Sequence, residues 1–273
     1  MQFEVGPYRI AIATEFGPRV TSLRFEDGPE LFAELGPDSA ITHESGSYHF
    51  RGGHRLWAAP EVPELTSAAD DHVCSVEEAG GVITVTAPPD AAGLVKEISL
   101  TSDEDALVVH HRITRTDGHS PPISAWAITQ VPLGGTAILP VSGADTTPTA
   151  NRYLVLWPYT SLEDNRVSFG DEAIELRAAD GPPIKFGVGP DPGRLGYYRD
   201  SFVFLKEIAS ATDRNVPDYG AVGQVYLGQG FCELESVGAL TDLAGGSAAE
   251  LRERWSVVDC GDLESAIGLT VSG

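Results

Sequence analysis

The sequence predicts an all-β domain, built as a sandwich or a barrel. Apolar and β-branched residues alternate with polar ones in many short runs, and clusters of Gly, Pro, Asp and Asn separate these runs. The 30 glycines and 19 prolines suit a chain with frequent turns. Few stretches show the 3.6-residue period of a helix, and neither a fixed-length repeat nor a linker divides the chain. We therefore expect one domain over residues 1–273 rather than a propeller or a solenoid.

Each predicted strand is an apolar or β-branched run bounded by turn residues. The first two flank the turn Glu15–Pro18, and the next three form a meander joined by the turns Pro88–Gly93 and Thr101–Asp105. The best helical pattern is Leu263–Leu269, with Asp262 as its predicted N-cap. In chain order, the predicted strands are Tyr8–Thr14, Arg19–Phe25, Val82–Thr86, Val95–Leu100, Ala106–Thr114, Ile123–Val131, Ala137–Leu139, Tyr153–Leu156, Ile184–Val188, Ser201–Glu207, Gly223–Leu227, Phe231–Val237 and Ala249–Val257.

Net charge and cysteine content limit the function classes. Forty acidic residues oppose 18 basic ones, which gives a formal net charge of -22. Such a chain repels nucleic-acid phosphates and anionic membranes, so we expect neither as a partner. The three cysteines are an odd number without CxxC spacing, which argues against a disulfide framework and a zinc site. The N-terminal segment alternates like a strand, and no apolar run approaches the roughly 20 residues of a membrane span, so we expect a soluble cytoplasmic protein.

The first concentration of unusual residues is Arg51–Glu61, with the sequence RGGHRLWAAPE. Its two glycines allow backbone conformations that other residues resist. His54, Arg55 and Trp57 then supply a titratable ring, a planar donor group and a stacking surface, which suit a polyhydroxylated ring. The alternative is a glycine-loosened turn with a surface Arg–Glu pair and a core tryptophan.

The second concentration lies in the predicted strand Phe231–Val237. Strand alternation puts Glu233 and Glu235 on one face, about 7 Å apart, with Phe231 beside them. Like charges at this spacing favour a raised carboxyl pKa and acid–base chemistry. The alternative is a solvated acidic face on an edge strand.

Aromatic and lysine residues add further candidates. Trp126 lies in a predicted strand, and Trp157 and Tyr159 lie where a strand enters a turn, so we expect some of these rings to be partly exposed. Lys185 and Lys206 are two of three lysines in the chain, and each lies inside an apolar strand. Core packing and simple solvation remain the alternatives for the rings and the lysines respectively.

Other chemical templates are absent from the sequence. It contains no GxSxG, Walker A or HExxH motif. His110 and His111 are adjacent in a predicted strand and point to opposite faces, so together they cannot form a metal pair. We therefore predict no cofactor and no metal.

The order of five segments resembles a domain family related to the aldose 1-epimerases. These segments are Gly52–Glu61, Leu156–Tyr159, Lys185–Gly189, Phe231–Leu240 and Glu253–Trp255, and the resemblance runs from about Gly17 to Trp255. It implies the large antiparallel supersandwich of galactose-mutarotase-like proteins.

The resemblance also implies an arrangement of site residues. In active aldose 1-epimerases, a late glutamate takes the anomeric proton, a histidine on a middle strand protonates the ring oxygen, and an early arginine holds the sugar. These roles fall on Glu235 for the base and Arg55 for the arginine. Trp126 stands where the histidine is expected, and an indole cannot supply that proton. His54 or His111 would have to replace it from another strand.

Two functions follow, and a third is disfavoured. The first is carbohydrate binding in an open groove without mutarotase turnover, and the alternative is an epimerase or mutarotase with Glu235 as base and His54 as acid. A glycosidase needs carboxylates about 6.5–9.5 Å apart across a bond, which neighbours on one strand rarely achieve. The pattern specifies neither the sugar nor an oligomeric state. The predicted sugar contacts are Arg55, Trp57, Trp126, Trp157, Tyr159, Lys185, Lys206 and Glu233.

Overall fold

Two large antiparallel sheets face each other and form the body of the protein, which confirms the predicted all-β supersandwich. The structure, a computed structural model, describes residues 1–44, 46–116, 121–141, 150–189, 193–209 and 215–272. Within these ranges, no helix has the length and apolar character that a membrane span requires.

The first sheet has nine strands and carries the residues of the candidate site. Every pair of neighbours in this sheet is antiparallel. Numbered in chain order, its strands lie in the spatial order β1 (Gln2–Val5), β2 (Tyr8–Ile12), β3 (Arg19–Phe25), β6 (Gly53–Ala59), β11 (Ser124–Val131), β20 (Cys232–Val237), β19 (Gly223–Leu227), β16 (Ile184–Val188) and β13 (Leu154–Leu156).

The second sheet has ten strands and closes the other side of the core. Its spatial order is β14 (Val167–Phe169), β15 (Ala173–Arg177), β12 (Thr136–Pro140), β17 (Arg194–Arg199), β18 (Phe202–Ile208), β21 (Ala249–Asp259), β10 (Ala106–Arg115), β9 (Leu94–Asp103), β8 (Val82–Thr86) and β7 (Ser75–Ala79). The remaining elements are the pair β4 (Ala40–His43) and β5 (Gly46–His49), the helices α1 (Pro63–Thr66), α2 (Pro217–Gly220) and α3 (Leu263–Val271), and a 3₁₀ turn at Ala244–Gly246.

Burial differs between central and peripheral strands, for a physical reason. In β21, alternate residues are buried because one face packs on the core and the other meets solvent. In β6, β11 and β20 every residue is buried, because further structure covers both faces. The inner face of these strands packs against the second sheet, where Trp255 contacts Phe32 and Phe204 edge to face.

The predicted helix is confirmed, with a slightly later end. Helix α3 spans Leu263–Val271, and the Asp262 carboxylate accepts a hydrogen bond of 2.8 Å from the Ser265 amide. The interpretation of Gly52-Gly53 as the start of a turn that carries His54, Arg55 and Trp57 is wrong, because these three residues belong to the central strand β6. That run shows no alternation because both of its faces are buried.

Candidate functional site

A hollow of about 550 Å³ lies on the outer face of the nine-stranded sheet, away from the second sheet. The strands β6, β11, β20, β19 and β16 supply its floor, and the segment that includes β4 covers one side. Its lining residues are Asp38, Ser39, Ala40, Ile41, Phe50, Arg55, Trp57, Glu61, Trp126, Tyr159, Pro183, Lys185, Tyr226, Gln229, Phe231, Glu233 and Glu235.

Strand register brings the floor residues together. Ile128 pairs with Arg55 on one side and with Glu235 on the other, so these side chains share one face. Trp126 pairs with Trp57 in the next row, and their rings meet edge to face at 5.5 Å. Residues that are far apart in sequence therefore lie side by side on the outer face.

Two glycines let β6 enter the sheet at this point. Gly52 and Gly53 have φ values of 82° and 74°, in the region that favours glycine. A Cβ atom on Gly53 would lie 2.3 Å from the Val20 carbonyl oxygen, and one on Gly52 would lie 1.8 Å from that of Ala33. The glycines therefore permit a close approach of β6 to its neighbours, and this approach sets the position of Arg55.

Arg55 and Glu233 form a buried ion pair at the floor of the hollow. Arg55 Nη2 lies 2.8 Å from Glu233 Oε1, and Gln130 Nε2 donates to the same oxygen at 3.0 Å. The guanidinium also lies 4.3 Å from the centre of the Trp57 ring. Glu233 is thus held by two donors and has little freedom to move.

Glu235 receives two donors on a single oxygen. Trp126 Nε1 and Lys185 Nζ each donate to Glu235 Oε2 at 2.7 Å. Burial raises the pKa of the Glu235 carboxyl above its ordinary value; the Lys185 ammonium opposes the rise and the Glu233 carboxylate adds to it. Trp126, which stands where the family resemblance places a histidine, therefore donates a hydrogen bond to the proposed base, Glu235.

Lys185 is held between two indoles. Its Nζ atom lies 4.7 Å from the centre of the Trp126 ring and 4.4 Å from that of Trp157. Gly187 leaves room for this arrangement, because a Cβ atom there would come within 3.2 Å of the Trp157 ring. Trp157 therefore contacts the site through Lys185 rather than as part of the lining.

Several buried donors in the hollow have no hydrogen-bond partner among the described residues. They are Arg55 Nε, Arg55 Nη1 and Trp57 Nε1. Buried donors of this kind are costly unless an acceptor is supplied. The side chains that carry them line the hollow, so these side chains would have to shift before oxygen atoms of a bound molecule could satisfy the donors.

The rim is acidic and aromatic. Asp38 and Glu61 are exposed carboxylates at the mouth, beside Tyr159 and Tyr226. Burial raises the pKa of Tyr226 to about 12 and also raises that of Tyr159, and nearby carboxylates add to both shifts. Both phenols therefore stay protonated at neutral pH and can donate or accept hydrogen bonds.

The structure places His54 in the core and not in the hollow. His54 lies on the face of β6 opposite to Arg55, and it is fully buried. His111 Nδ1 donates to the Leu251 carbonyl oxygen, so its Nε2 accepts from His54 Nε2 at 2.7 Å, and His54 Nδ1 accepts from Thr129 Oγ1 at 2.8 Å. Because Arg55 faces the hollow, its neighbour His54 has to face inward.

Lys206 also lies between the sheets. It is fully buried on β18, its Nζ donates to the carbonyl oxygens of Ala127 and Leu234, and it lies 3.2 Å from Glu253 Oε1. The structure therefore separates Lys206 and His54 from the other predicted contacts. Eight predicted residues contribute to the hollow directly or through Lys185: Arg55, Trp57, Trp126, Trp157, Tyr159, Lys185, Glu233 and Glu235.

His54, His111 and Glu253 form a buried group whose potential ligand atoms lie within 4.8 Å of one another. These residues do not fit a metal as they stand. The two histidine Nε2 atoms are joined by a hydrogen bond. Trp255 Nε1 donates to Glu253 Oε2 at 2.8 Å, and the Lys206 ammonium lies beside Glu253 Oε1. A cation would have to compete with that ammonium, so we interpret the group as a hydrogen-bonded core network.

Sequence reasoning missed several lining residues. Gln130 supports the floor rather than lining the hollow: it donates to Glu233 and shares a face of β11 with Trp126, so alternation could have found it. Tyr226 and Lys185 lie in one row with Glu233, but only the strand pairing reveals this. Phe50 and Asp38 come from loops, where no pattern in the sequence indicates a direction.

Comparison with known proteins gives matches in structure but none in sequence. No protein-family model matches this chain, and no curated protein is similar to it in sequence. Solved structures are similar: an Escherichia coli K12 protein provisionally described as an aldose 1-epimerase (TM-score 0.59, 11% identity, 94% of this chain and 98% of that one) and a galactose mutarotase-like protein from Lactobacillus casei ATCC 334 (0.54, 12%, 94% and 99%). A galactose mutarotase related enzyme from Lactobacillus acidophilus also matches (0.54, 9%, 96% and 98%). At these identities the likeness concerns architecture, and this chain has the galactose-mutarotase-like fold.

Proposed function

We propose that the outer hollow binds a monosaccharide. The observation that carries this proposal is the combination of unpartnered buried donors on Arg55 and Trp57 with fixed carboxylates in one hollow. A sugar hydroxyl both donates and accepts, so it can pair with a guanidinium or indole N–H and with a carboxylate oxygen. Aromatic rings in the same hollow suit the apolar faces of a pyranose.

Size and surroundings support the same ligand class. A volume of about 550 Å³ lies in the range of small-molecule sites and exceeds what one hexose needs. The comparison structures include a galactose mutarotase-like protein, a name that refers to a sugar. The fold is therefore compatible with the proposal, but the side chains of the hollow are its main support.

The proposal is tested by calorimetric titration with a panel of hexoses and pentoses. We expect at least one neutral monosaccharide to bind the unaltered protein. The double substitution Arg55→Met, Glu233→Gln removes both members of the buried ion pair, so neither charge remains alone in the floor. We expect this variant to remain folded and to lose at least tenfold in affinity.

The matched control for this test is Lys96→Met with Asp90→Asn. Lys96 on β9 of the second sheet and Asp90 in the preceding loop form an ion pair of 2.8 Å, and neither residue lines the hollow. Equal loss of affinity in the control and in the hollow variant, or no binding of any sugar, would exclude the proposal.

A second candidate function is exchange between sugar anomers with Glu235 as the general base. The raised pKa of the Glu235 carboxyl favours this function, because a buried carboxylate takes up protons more readily than an exposed one. The test is the exchange rate between the two anomers measured by magnetisation transfer, for which Glu235→Gln should reduce any acceleration to the background.

A further inference from the structure

We propose that Lys185 is the proton donor that acts with Glu235 to open and reclose the ring of a bound sugar. This inference rests on the proposed sugar hollow and names a catalytic residue in it. Lys185 Nζ lies 2.7 Å from Glu235 Oε2, so an acid and a base are in direct contact. The anomeric and ring oxygens of a pyranose are bonded to the same carbon atom, so such a pair can reach both.

Glu235 has an oxygen available for the anomeric hydroxyl. Its Oε2 atom accepts from Trp126 and Lys185, and no described residue donates a hydrogen bond to Oε1. Glu233 also has one oxygen without a described donor, since Arg55 and Gln130 both donate to its Oε1, but the cation beside it is a guanidinium, which does not release a proton. Glu235 is therefore the carboxylate with a free acceptor site next to an acid.

Lys185 has protons to give. One of its three N–H groups faces Glu235, and indole faces, which accept no full hydrogen bond, hold the ammonium on two sides. The contacts with Trp126 and Trp157 fix the ammonium, and this lowers the entropic cost of aligning it with the reacting oxygen.

The other ionisable groups in the hollow are poorer donors. The guanidinium of Arg55 does not release a proton in proteins. Asp38 and Glu61 are exposed carboxylates, and the phenols of Tyr159 and Tyr226 hold their protons more strongly than usual. His54 faces the core from the opposite side of the sheet. None of these groups has a hydrogen bond with Glu235 in the described structure.

The proposed step balances without a further reactant. Glu235 takes the proton of the anomeric hydroxyl, the anomeric carbon forms a carbonyl, and its bond to the ring oxygen breaks. The electron pair of that bond stays on the ring oxygen, which takes a proton from the Lys185 ammonium. The products are the open-chain sugar, a neutral carboxyl and a neutral amine. The reverse transfers, after rotation of the carbonyl, close the opposite anomer and restore both charges.

The test compares anomer exchange and sugar binding in the same variants. Exchange is measured by magnetisation transfer on each sugar that binds, and binding by calorimetry. We expect Glu235→Gln and Lys185→Met each to slow the catalysed exchange by about 100-fold or more. The double variant should be no slower than either single variant, because the two residues act as a unit. Lys185→Arg should keep the ion pair and the binding but lose the exchange, since arginine retains its charge and not the transferable proton. Lys96→Met is the control lysine and should exchange at the unaltered rate.

Three outcomes would overturn the inference. They are a Lys185→Arg variant with full exchange, a loss in Tyr159→Phe or Tyr226→Phe as large as that in Lys185→Met, and an unaltered protein that binds sugar without accelerating exchange. Each of these leaves sugar binding intact. Failure of every sugar to bind would instead remove the proposed function itself, so the two failures are distinguishable.

Discussion

At the scale of single residues, Trp126 controls the carboxylate beside it. Its indole N–H donates to Glu235 Oε2 at 2.7 Å, in a fully buried setting. A hydrogen bond to a charged group contributes about 1.5–3 kcal/mol and stabilises the ionised form. The tryptophan therefore holds down the pKa of a carboxyl that burial raises.

Substitution Trp126→Phe removes this donor and keeps an aromatic ring. We expect the pKa of Glu235 to rise, because the ionised carboxylate loses a hydrogen-bond donor. The measurement is a pH titration of side-chain carboxyl ¹³C signals, with Glu235 assigned by loss of its signal in Glu235→Gln. Trp157→Phe is the matched control, because Trp157 contacts Lys185 and makes no described hydrogen bond to Glu235. An unchanged titration in Trp126→Phe would contradict the assignment.

Single-residue chemistry was partly predictable from the sequence. Alternation placed Glu233 and Glu235 on one face, as the structure has them. It could not decide which face of β6 meets the core, and for that reason His54 was predicted beside Arg55 in the site. Adjacent strand residues point in opposite directions, so only one of the two could line the hollow.

At the scale of elements, β6 is the strand on which the site depends. It pairs with β3 and β11, and its first residue has a positive φ value. The close approach at Gly53 leaves no space for a side chain, because the Val20 carbonyl oxygen occupies it. A larger residue must move β6 and, with it, Arg55.

We therefore expect Gly53→Ala to lower the free energy of unfolding by about 3 kcal/mol or more, from backbone strain and overpacking together. Urea unfolding followed by fluorescence measures this loss. Gly80→Ala is the control: it also has a positive φ, of 59°, but no atom lies within 4 Å of its added Cβ. Similar losses in both variants would show that strain alone, and not the close approach, sets the cost.

Most predicted strands lie where the sequence placed them, and the missed ones have physical causes. Strands β8, β16 and β19 match their predicted bounds. β14 spans Val167–Phe169, too short for a period to show. β6 has no polar alternation because it is buried on both faces. Burial on both faces does not by itself hide a strand, because β16 is also fully buried and matches its predicted bounds.

At the scale of the whole molecule, the two sheets are joined by the buried pair His54 and His111. Burial lowers the pKa of His111 to about 4 and lowers that of His54 well below its ordinary value. In the unfolded chain these two histidines take up protons near pH 6.5, whereas in the folded chain they do not. The contribution of this pair to the free energy of unfolding is therefore fully present above about pH 6.5 and is lost as the pH decreases toward 4.

The measurement is chemical unfolding as a function of pH. Between pH 6.5 and pH 4, we expect the unaltered protein to lose about 3 kcal/mol more than His111→Gln, whose amide can still donate to Leu251 and accept from His54. His72→Gln, a half-buried histidine outside this pair, is the control. Identical pH profiles for the unaltered protein and His111→Gln would contradict this role for the core pair.

Charge over the whole molecule also predicts ligand preference. The two cations in the floor are paired with Glu233 and Glu235, Asp38 and Glu61 add negative charge at the rim, and the formal net charge of the chain is -22. We expect a hexose to bind at least tenfold more tightly than its 6-phosphate at low ionic strength. The difference in affinity between the hexose and its 6-phosphate should become smaller at about 1 M salt, where charges more than about 3 Å apart are screened. Tighter binding of the phosphate in calorimetry would contradict this account.

The convergence of distant segments is the part of the molecule that sequence patterns could not predict. Arg55 and Glu233 are 178 positions apart, and their contact depends on β6 and β20 flanking β11. The resemblance to a known family implied the supersandwich, whereas the residues alone allowed a sandwich or a barrel. The choice of Lys185 as the partner of Glu235 likewise needed the register of β16, β19 and β20.

The most direct test of the sugar hollow uses the four tryptophans of the chain as reporters. Trp57 and Trp126 line the hollow, Trp157 contacts it through Lys185, and Trp255 is fully buried between the sheets. The indole N–H signals are followed by ¹H–¹⁵N NMR during titration with monosaccharides. The account predicts saturable shifts for Trp57 and Trp126 and an unmoved signal for Trp255. Signals that stay in place with every sugar, or a shift confined to Trp255, would contradict it.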